Sequence, residues 1–138
     1  MRAVNIDVAA LVQHAIAAAE QAYVPYSNYR VGAALLTPTG QMFTGCNVEN
    51  AAYPACICAE RTALVKAVSE GERRFSVIAI ATQDGGSPCG LCRQMLVEFA
   101  PDLRVITCDF SGGIVLDMPL RDLLAHHFGP EHLLDDQP

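Results

Sequence analysis

Two short segments concentrate the reactive side chains of this sequence: Cys58-Ala59-Glu60-Arg61 and Pro88-Cys89-Gly90-Leu91-Cys92-Arg93. Each follows a turn-rich loop and opens a stretch with helical spacing, so both are predicted helix starts. A thiolate is favoured there, because free N–H groups and the positive end of the helix dipole stabilise negative charge. Cys89 and Cys92 are three residues apart, which lets both sulfurs lie on one face of a turn. If the two helix starts are neighbours, three sulfurs meet at one point. Zinc accepts three protein ligands and keeps a fourth position for water. Three thiolates leave the site with a formal charge of −1, which weakens the metal's power to acidify that water. Two helix N-termini, each worth roughly half a charge, and Arg61 can compensate, with Arg93 as a second candidate. Glu60, two residues after Cys58, places a carboxylate where it can take the water's proton and pass it on.

Other chemistries use part of this set. A structural zinc site needs a fourth protein ligand, and Cys56 is near enough to supply it. A thioredoxin-like role for Cys89-Gly90-Leu91-Cys92 leaves Cys58 and Glu60 without a purpose. Glu60 also fits as a plain carboxylate at a helix start, and Arg61 as a solvated helix charge. Asn47 and Glu49 fit as turn residues, and Phe128 as a core or interface side chain. Cys46, Cys56 and Cys108 read best as buried small hydrophobes. His14, His126, His127 and His132 read as surface groups.

The rest of the chain must position these residues. Its 138 residues, 51% of them hydrophobic, suit a single domain spanning 1–138. Val8, Leu11, Val12, Ala15, Ile16, Ala19 and Tyr23 recur at helical spacing, which predicts an N-terminal helix at about 7–22. The stretch from Tyr29 to Leu36, a turn at Pro38-Thr39-Gly40 and the stretch from Gln41 to Cys46 predict a hairpin. A loop from Asn47 to Ile57 leads to a helix from Cys58 to Val68. Phe75 to Thr82 reads as a buried strand, Cys89 to Phe99 as a second helix, and Leu103 to Cys108 as another strand. A short strand near Ile114 to Leu116 and short helices at Leu120 to Leu124 and Pro130 to Leu134 close the chain, and Asp135 to Pro138 are expected to fray. Strands alternating with helices predict an α/β sheet covered on both faces.

The net charge of −6 and the lack of a basic stripe argue against a nucleic-acid partner and favour a small, uncharged substrate. No run is long enough for a membrane helix. Val8 to Ala19, broken by Gln13 and His14, reads as an amphipathic helix rather than a signal peptide. A cytoplasmic location is the expectation.

C-x-E followed 30 residues later by P-C-x-x-C is the pattern of zinc deaminases of the three-cysteine type, in which the glutamate is not a ligand. The chain resembles the small, homotetrameric, zinc-dependent cytidine deaminases of the cytidine/deoxycytidylate deaminase superfamily from about Ala22 to Leu133. The resemblance rests on Pro25-Tyr26-Ser27, on Val31-Gly32-Ala33-Ala34-Leu35 and on Gly45-Cys46-Asn47-Val48-Glu49-Asn50-Ala51. Further on it rests on Cys58-Ala59-Glu60-Arg61-Thr62-Ala63, on Pro88-Cys89-Gly90 with Cys92-Arg93-Gln94, and on Phe128-Gly129-Pro130. It implies a three-layer α/β/α sandwich around a five-stranded mixed sheet, with one Zn²⁺ per subunit held by Cys58, Cys89 and Cys92. It implies a homotetramer whose active sites are shared between subunits. The implied reaction is hydrolysis of free cytidine and deoxycytidine to uridine and deoxyuridine, in pyrimidine salvage. Zinc-activated hydroxide attacks C4 and Glu60 shuttles the protons. By position, Asn47 and Glu49 bind the ribose hydroxyls and the main chain of Ala59 and Glu60 reads the pyrimidine edge. The resemblance further implies that Phe128 reaches a neighbouring subunit's base and that Pro88 offers its carbonyl to the departing amine. Tyr29 stands where the family usually has Phe, and its hydroxyl needs a partner. A deaminase of another aminonucleoside, of the blasticidin type, and a non-catalytic zinc scaffold are the competing readings.

Overall fold

Alternation along the strands decides which layer each residue serves. In the computed structural model, which describes residues 5–134, five strands form one sheet in the order β2-β1-β3-β4-β5. They are β1 (Gly32–Leu36), β2 (Met42–Cys46), β3 (Val77–Ala81), β4 (Arg104–Cys108) and β5 (Ile114–Pro119). Ala33, Leu35, Phe43, Ile78, Ile80 and Val105 form a cluster with residues of α2 (Ala59–Ser69) and α3 (Gly90–Val97). Their neighbours Ala34, Leu36, Val77, Ala79, Ala81 and Ile106 form a second cluster with Leu11, Val12 and Ala15 of α1 (Val8–Ala19). This period of two puts one apolar set on each face and makes the three-layer sandwich. Leu11, Leu35, Leu64, Ile78, Ile80 and Leu96 are each below 2% exposure. Burial of each such side chain contributes roughly 1.5–3 kcal/mol of transfer free energy. A short α4 (Leu120–Leu123) and a 3₁₀ turn at Pro130–His132 complete the described chain, and the expected fraying of 135–138 lies outside the described residues.

The pairing around β1 does most to place the reactive residues. β1 is antiparallel to both β2 and β3, and Gly32 pairs with Cys46 on one side and with Ala81 on the other. β2 and β3 therefore run the same way and end at the same edge of the sheet. Each delivers the chain from that edge into a loop and then a helix start. β3 and β4 are parallel, joined through α3, and β5 returns antiparallel to β4.

Two glycines let the helices sit close to the sheet. A Cβ on Gly32 would lie 2.0 Å from the Ala15 carbonyl oxygen, and one on Gly45 would lie 2.6 Å from both Ala59 O and Ala63 N. The second position sets how near α2 comes to β2.

Boundaries differ from the sequence expectation where tertiary hydrogen bonds override local pattern. α1 ends at Ala19 rather than near residue 22. Beyond it, Arg30 Nη1 donates to the carbonyls of Glu20 (3.2 Å) and Ala22 (2.8 Å), and Tyr23 N donates to Asn47 O (3.0 Å). The first strand begins at Gly32 rather than Tyr29, because the Asn47 side chain occupies the main chain there: Asn47 Nδ2 donates to Tyr29 O (2.8 Å) and Val31 N donates to Asn47 Oδ1 (2.9 Å). The segment 47–57 is not a plain loop. Val48 bridges to Tyr23 and Ile57, and Tyr53–Ala55 form a 3₁₀ turn. β5 runs on to Pro119, three residues past the expected end.

Candidate active site

Cys58 is the N-cap residue of α2 and Cys89 the N-cap residue of α3, and neither side chain makes a capping hydrogen bond. Both sulfurs are thus free to bind something else at the positive ends of two helices. Cys92 lies in the first turn of α3 and is fully buried. The shared sheet edge brings the two helix starts together. Cys58 Sγ and Cys89 Sγ are 3.8 Å apart, and Cys89 Sγ and Cys92 Sγ 3.4 Å. Tetrahedral zinc–thiolate bonds of about 2.3 Å put neighbouring sulfurs about 3.8 Å apart. Among the described residues this trio is the only group of three or more Cys, His, Asp or Glu side chains whose ligand atoms lie within 4.8 Å of one another, and it can hold a metal ion.

The donor set itself asks for a cation. The Cys58 thiol is held well below its usual range by hydrogen bonding with Cys92 and with the Arg61 guanidinium. The Cys92 thiol is driven the other way by its hydrogen bond to Cys58 and by burial. Three sulfurs this close do not all carry charge unless a positive ion sits among them. Arg61 Nη2 lies 3.5 Å from Cys58 Sγ and 3.5 Å from Cys56 O, so it stands behind the sulfur cluster. Cys56 does not join the cluster: its half-buried sulfur accepts from Asn50 N at 3.3 Å. Cys46 is likewise only half-buried, whereas Cys108 is buried as expected.

Glu60 follows in the first turn of α2 and is 4% exposed. Its Oε1 has no hydrogen-bond partner among the described residues. Burial, reinforced by the negative charge on Cys58, pushes the Glu60 carboxyl above the usual carboxylate range. An unpaired buried carboxylate is costly, and a raised proton affinity brings it nearer the working range of a general acid and base.

A cavity of about 510 Å³ opens over this cluster, lined by Cys58, Glu60, Arg61 and Cys89 and also by Ser27, Tyr29, Asn47 and Glu49. That size suits a small ligand. Glu49 Oε1 accepts from Tyr26 N (3.0 Å) and Ser27 N (3.1 Å), and Glu49 Oε2 accepts from the Ser27 hydroxyl. These bonds hold the Glu49 carboxyl below its ordinary value, the Ser27 hydroxyl first among them. Asn47 is fixed by the main chain of Tyr29 and Val31. Ala59 is fully buried as the first residue of α2.

Two residues expected at the site lie outside this chain's sulfur cluster and cavity, Arg93 against expectation and Phe128 in line with a role toward a neighbouring subunit. Arg93 turns away from the sulfurs. Its Nε donates to Pro88 O (2.8 Å), its Nη1 to Leu123 O (2.6 Å) and its Nη2 to Ser87 Oγ (3.0 Å). The backbone carbonyls of the Ser87-Pro88 loop and of α4 outcompete the thiols for its five donors, so one lone pair of the Pro88 carbonyl is already occupied. Phe128 does not line this chain's cavity. It is 56% exposed, stacks on His132 with ring centroids 5.1 Å apart, and borders a separate hollow with Gln94, Glu98 and Pro130. The sequence alone did not mark Ser27, Thr82 or Asp84 as site residues. Ser27 lies in the Pro25-Tyr26-Ser27 stretch, and a Thr-x-Asp-Gly run after a strand is a side-chain-capped turn signal.

The chain matches the family model described as "Cytidine and deoxycytidylate deaminase zinc-binding region" over residues 6–108. A cytidine deaminase of Sporosarcina psychrophila is 43% identical over 130 residues, covering 93% of this chain and 96% of that protein. One from Halalkalibacterium halodurans is 44% identical over 128 residues, covering 91% and 96%. The crystal structure of a cytidine deaminase from Burkholderia pseudomallei superposes with a TM-score of 0.82 at 47% identity, covering 86% of this chain and 97% of that one.

Proposed function

The chain belongs to the cytidine and deoxycytidylate deaminase zinc-binding family, and we propose that it converts free cytidine and deoxycytidine, with water, to uridine and deoxyuridine, releasing ammonia. It is a zinc-dependent cytidine deaminase by its relatives and its family, and Cys58, Cys89 and Cys92 would hold the metal. Bound there, zinc supplies a Lewis acid that lowers the pKa of a water molecule toward neutrality.

The observation that carries the mechanism is Glu60: a buried carboxylate beside the sulfur cluster that lines the cavity, with its Oε1 lacking a hydrogen-bond partner among the described residues. Glu60 takes one proton of the attacking water and delivers it to the ring nitrogen next to C4 as the water oxygen bonds to C4; it then takes the second proton from the new C4 hydroxyl and passes it to the amine, which leaves as ammonia when the C4–N bond breaks. Its raised proton affinity lets it hold a proton between those transfers. The helix starts of α2 and α3 and the Arg61 guanidinium offset the charge of three sulfurs. Asn47 and Glu49, which also line the cavity, hold the sugar hydroxyls, and the Tyr29 ring packs beside the base. Among the described residues that line the cavity, Arg61 is the one cation, which supports a nucleoside rather than a nucleotide.

The same reading makes residues 1–138 one catalytic domain and places it in pyrimidine salvage in the cytoplasm. Among the described residues no helix is long and apolar enough to cross a membrane. Phe128, outside its own chain's cavity, and the exposed rings of Tyr23, Tyr26 and Tyr53 support a homotetramer in which a neighbour completes each site.

The test is turnover of cytidine by the zinc-loaded protein, followed by ultraviolet absorbance and ammonia release. Glu60→Gln should keep zinc and fold but lose about 10²–10⁴-fold in kcat, the usual worth of a positioned acid–base group. Wild-type turnover in that variant refutes the proton-transfer role, and a zinc-loaded wild type that leaves cytidine intact favours the non-catalytic scaffold.

A further inference from the structure

The cavity has two walls, built from distant parts of the chain. The sugar-side wall is the Ser27–Val31 segment with Asn47 and Glu49. The metal-side wall is the Thr82–Cys89 turn, which leads from β3 into the ligand Cys89. The Tyr29 side chain joins them. The Tyr29 hydroxyl donates to Asp84 Oδ1 at 2.7 Å, across 55 positions of sequence.

Both ends of this link are anchored. On the sugar side, Tyr29 N donates to Ser27 Oγ (3.0 Å), which itself donates to Glu49, and Tyr29 O accepts from Asn47 Nδ2 (2.8 Å). On the metal side, Asp84 Oδ1 also accepts from Thr82 Oγ1 (3.1 Å) and Gly86 N (3.3 Å). Thr82 Oγ1 in turn accepts from Gly85 N (2.7 Å) and Gly86 N (3.0 Å). The tyrosine ring lines the cavity, as do Thr82 and Gly86. The far end of the same turn is held separately, by Arg93 on Ser87 and Pro88.

We propose that the Tyr29 hydroxyl, through Asp84, is a positioning group that sets the spacing between the sugar-holding and metal-side walls, and so governs substrate affinity rather than the chemical step. The ring alone packs against a base as phenylalanine would; the hydroxyl does a different job. Three observations argue for affinity over chemistry. Asp84 does not line the cavity, so the link acts through the walls and not on the substrate. Arg93 already fixes the part of the turn next to Cys89, so the metal ligands keep their places without the tyrosine hydroxyl. Tyr29 is also bonded through its main chain to the two side chains assigned to the sugar, directly to Asn47 and through Ser27 to Glu49, so loosening it loosens both. Hydrogen bonding to Tyr29, then to Thr82, holds the Asp84 carboxyl below its ordinary value, which keeps it a charged acceptor at neutral pH.

The inference rests on the nucleoside reading above, so the test has one arm that needs no turnover. Tyr29→Phe, Asp84→Ala, the double variant and Asp84→Asn are compared by KM and kcat for cytidine, zinc content, and amide exchange of Gly85 and Gly86. Tyr29→Phe should raise KM about tenfold, near the low end of what a hydrogen bond to a charged group contributes, with kcat within about twofold and zinc content unchanged. Exchange at Gly85 and Gly86 should quicken by a similar factor. The double variant should match Asp84→Ala alone, because the two groups act through one another. Asp84→Asn, whose amide oxygen still accepts from Tyr29 but without the charge, should fall between wild type and Asp84→Ala. Wild-type KM and exchange in Tyr29→Phe overturn the inference, as do additive effects in the double variant or a loss confined to kcat. If the wild-type protein does not deaminate cytidine, the exchange arm still decides whether the link holds the turn.

Discussion

Gly45→Ala tests whether the sheet, rather than the loops, sets the metal geometry. The added methyl carbon would lie 2.6 Å from Ala59 O, 2.6 Å from Ala63 N and 3.0 Å from Thr62 Cβ. Two of these are backbone atoms of α2, so no rotamer change relieves them. Ordinary contact is about 3.5 Å, so α2 must retreat from β2 by close to 1 Å. Cys58 caps that helix and Glu60 stands in its first turn, so both move with it while Cys89 and Cys92 stay on α3. Overpacking of this kind costs about 1–3 kcal/mol, which for a chain of this size lowers Tm by roughly 3–10 °C. The functional loss should exceed the stability loss, since a misplacement of about 1 Å at a reacting centre costs on the order of 10²-fold in rate. Thermal melting, zinc loss to a competing chelator and kcat/KM for cytidine measure the three effects. A variant with wild-type Tm that still loses zinc slowly and turns over normally would refute the argument that close approach of α2 to β2 positions the site.

Two further outcomes follow from the charges. Arg61→Ala should speed zinc loss and lower kcat, because Arg61 is the guanidinium within 3.5 Å of a ligand sulfur; Arg93→Ala should instead destabilise the Ser87-Pro88 loop, and equal zinc-loss rates for the two variants would contradict this division. Arg104 and Asp117 form a two-bond ion pair at 2.8 and 2.7 Å on β4 and β5, and Arg104 holds the Asp117 carboxyl below its ordinary 3.8. A lowered folded value means the pair stabilises fully above pH 3.8 and fades as the pH falls through the folded value. Both side chains are over one-third exposed, so Asp117→Asn should cost at most about 1 kcal/mol at pH 7. In urea melts that gap should close on acidification, and a gap that widened toward acid would reverse the sign argued here.

The ligands were legible in the sequence because their signal is local. Cys58 and Cys89 each precede a helical period and follow a turn, and Cys92 lies three residues on. The strands were legible for the same reason, as runs such as Val77 to Ala81 bounded by turn residues. What was not legible depends on pairing between distant segments. Nothing local ends α1 at Ala19; the Arg30 guanidinium does, from eight to eleven residues away. Arg93 was a reasonable partner for sulfur by its distance along the chain, yet the carbonyl of Leu123, thirty residues on, claims it. The Tyr29–Asp84 link spans 55 positions, and neither residue type announces the other.

The register of β1 explains why local motifs were nevertheless enough to find the metal site. Cys58 and Cys89 are 31 residues apart, and no helical spacing connects them. Gly32 pairs with both Cys46 and Ala81, so the strands preceding the two motifs must stop at one edge. The ligand of an α/β sheet then belongs beyond the carboxyl ends of such strands, where helix starts gather. The buried carboxylate of Glu60 follows from the same geometry. Packing α2 against Gly45 buries its first turn, and Glu60 is carried inside with it. A carboxylate placed there by packing alone would destabilise the fold. It persists where its displaced proton affinity is used, which ties the cost of burying Glu60 to the proton transfers assigned to it.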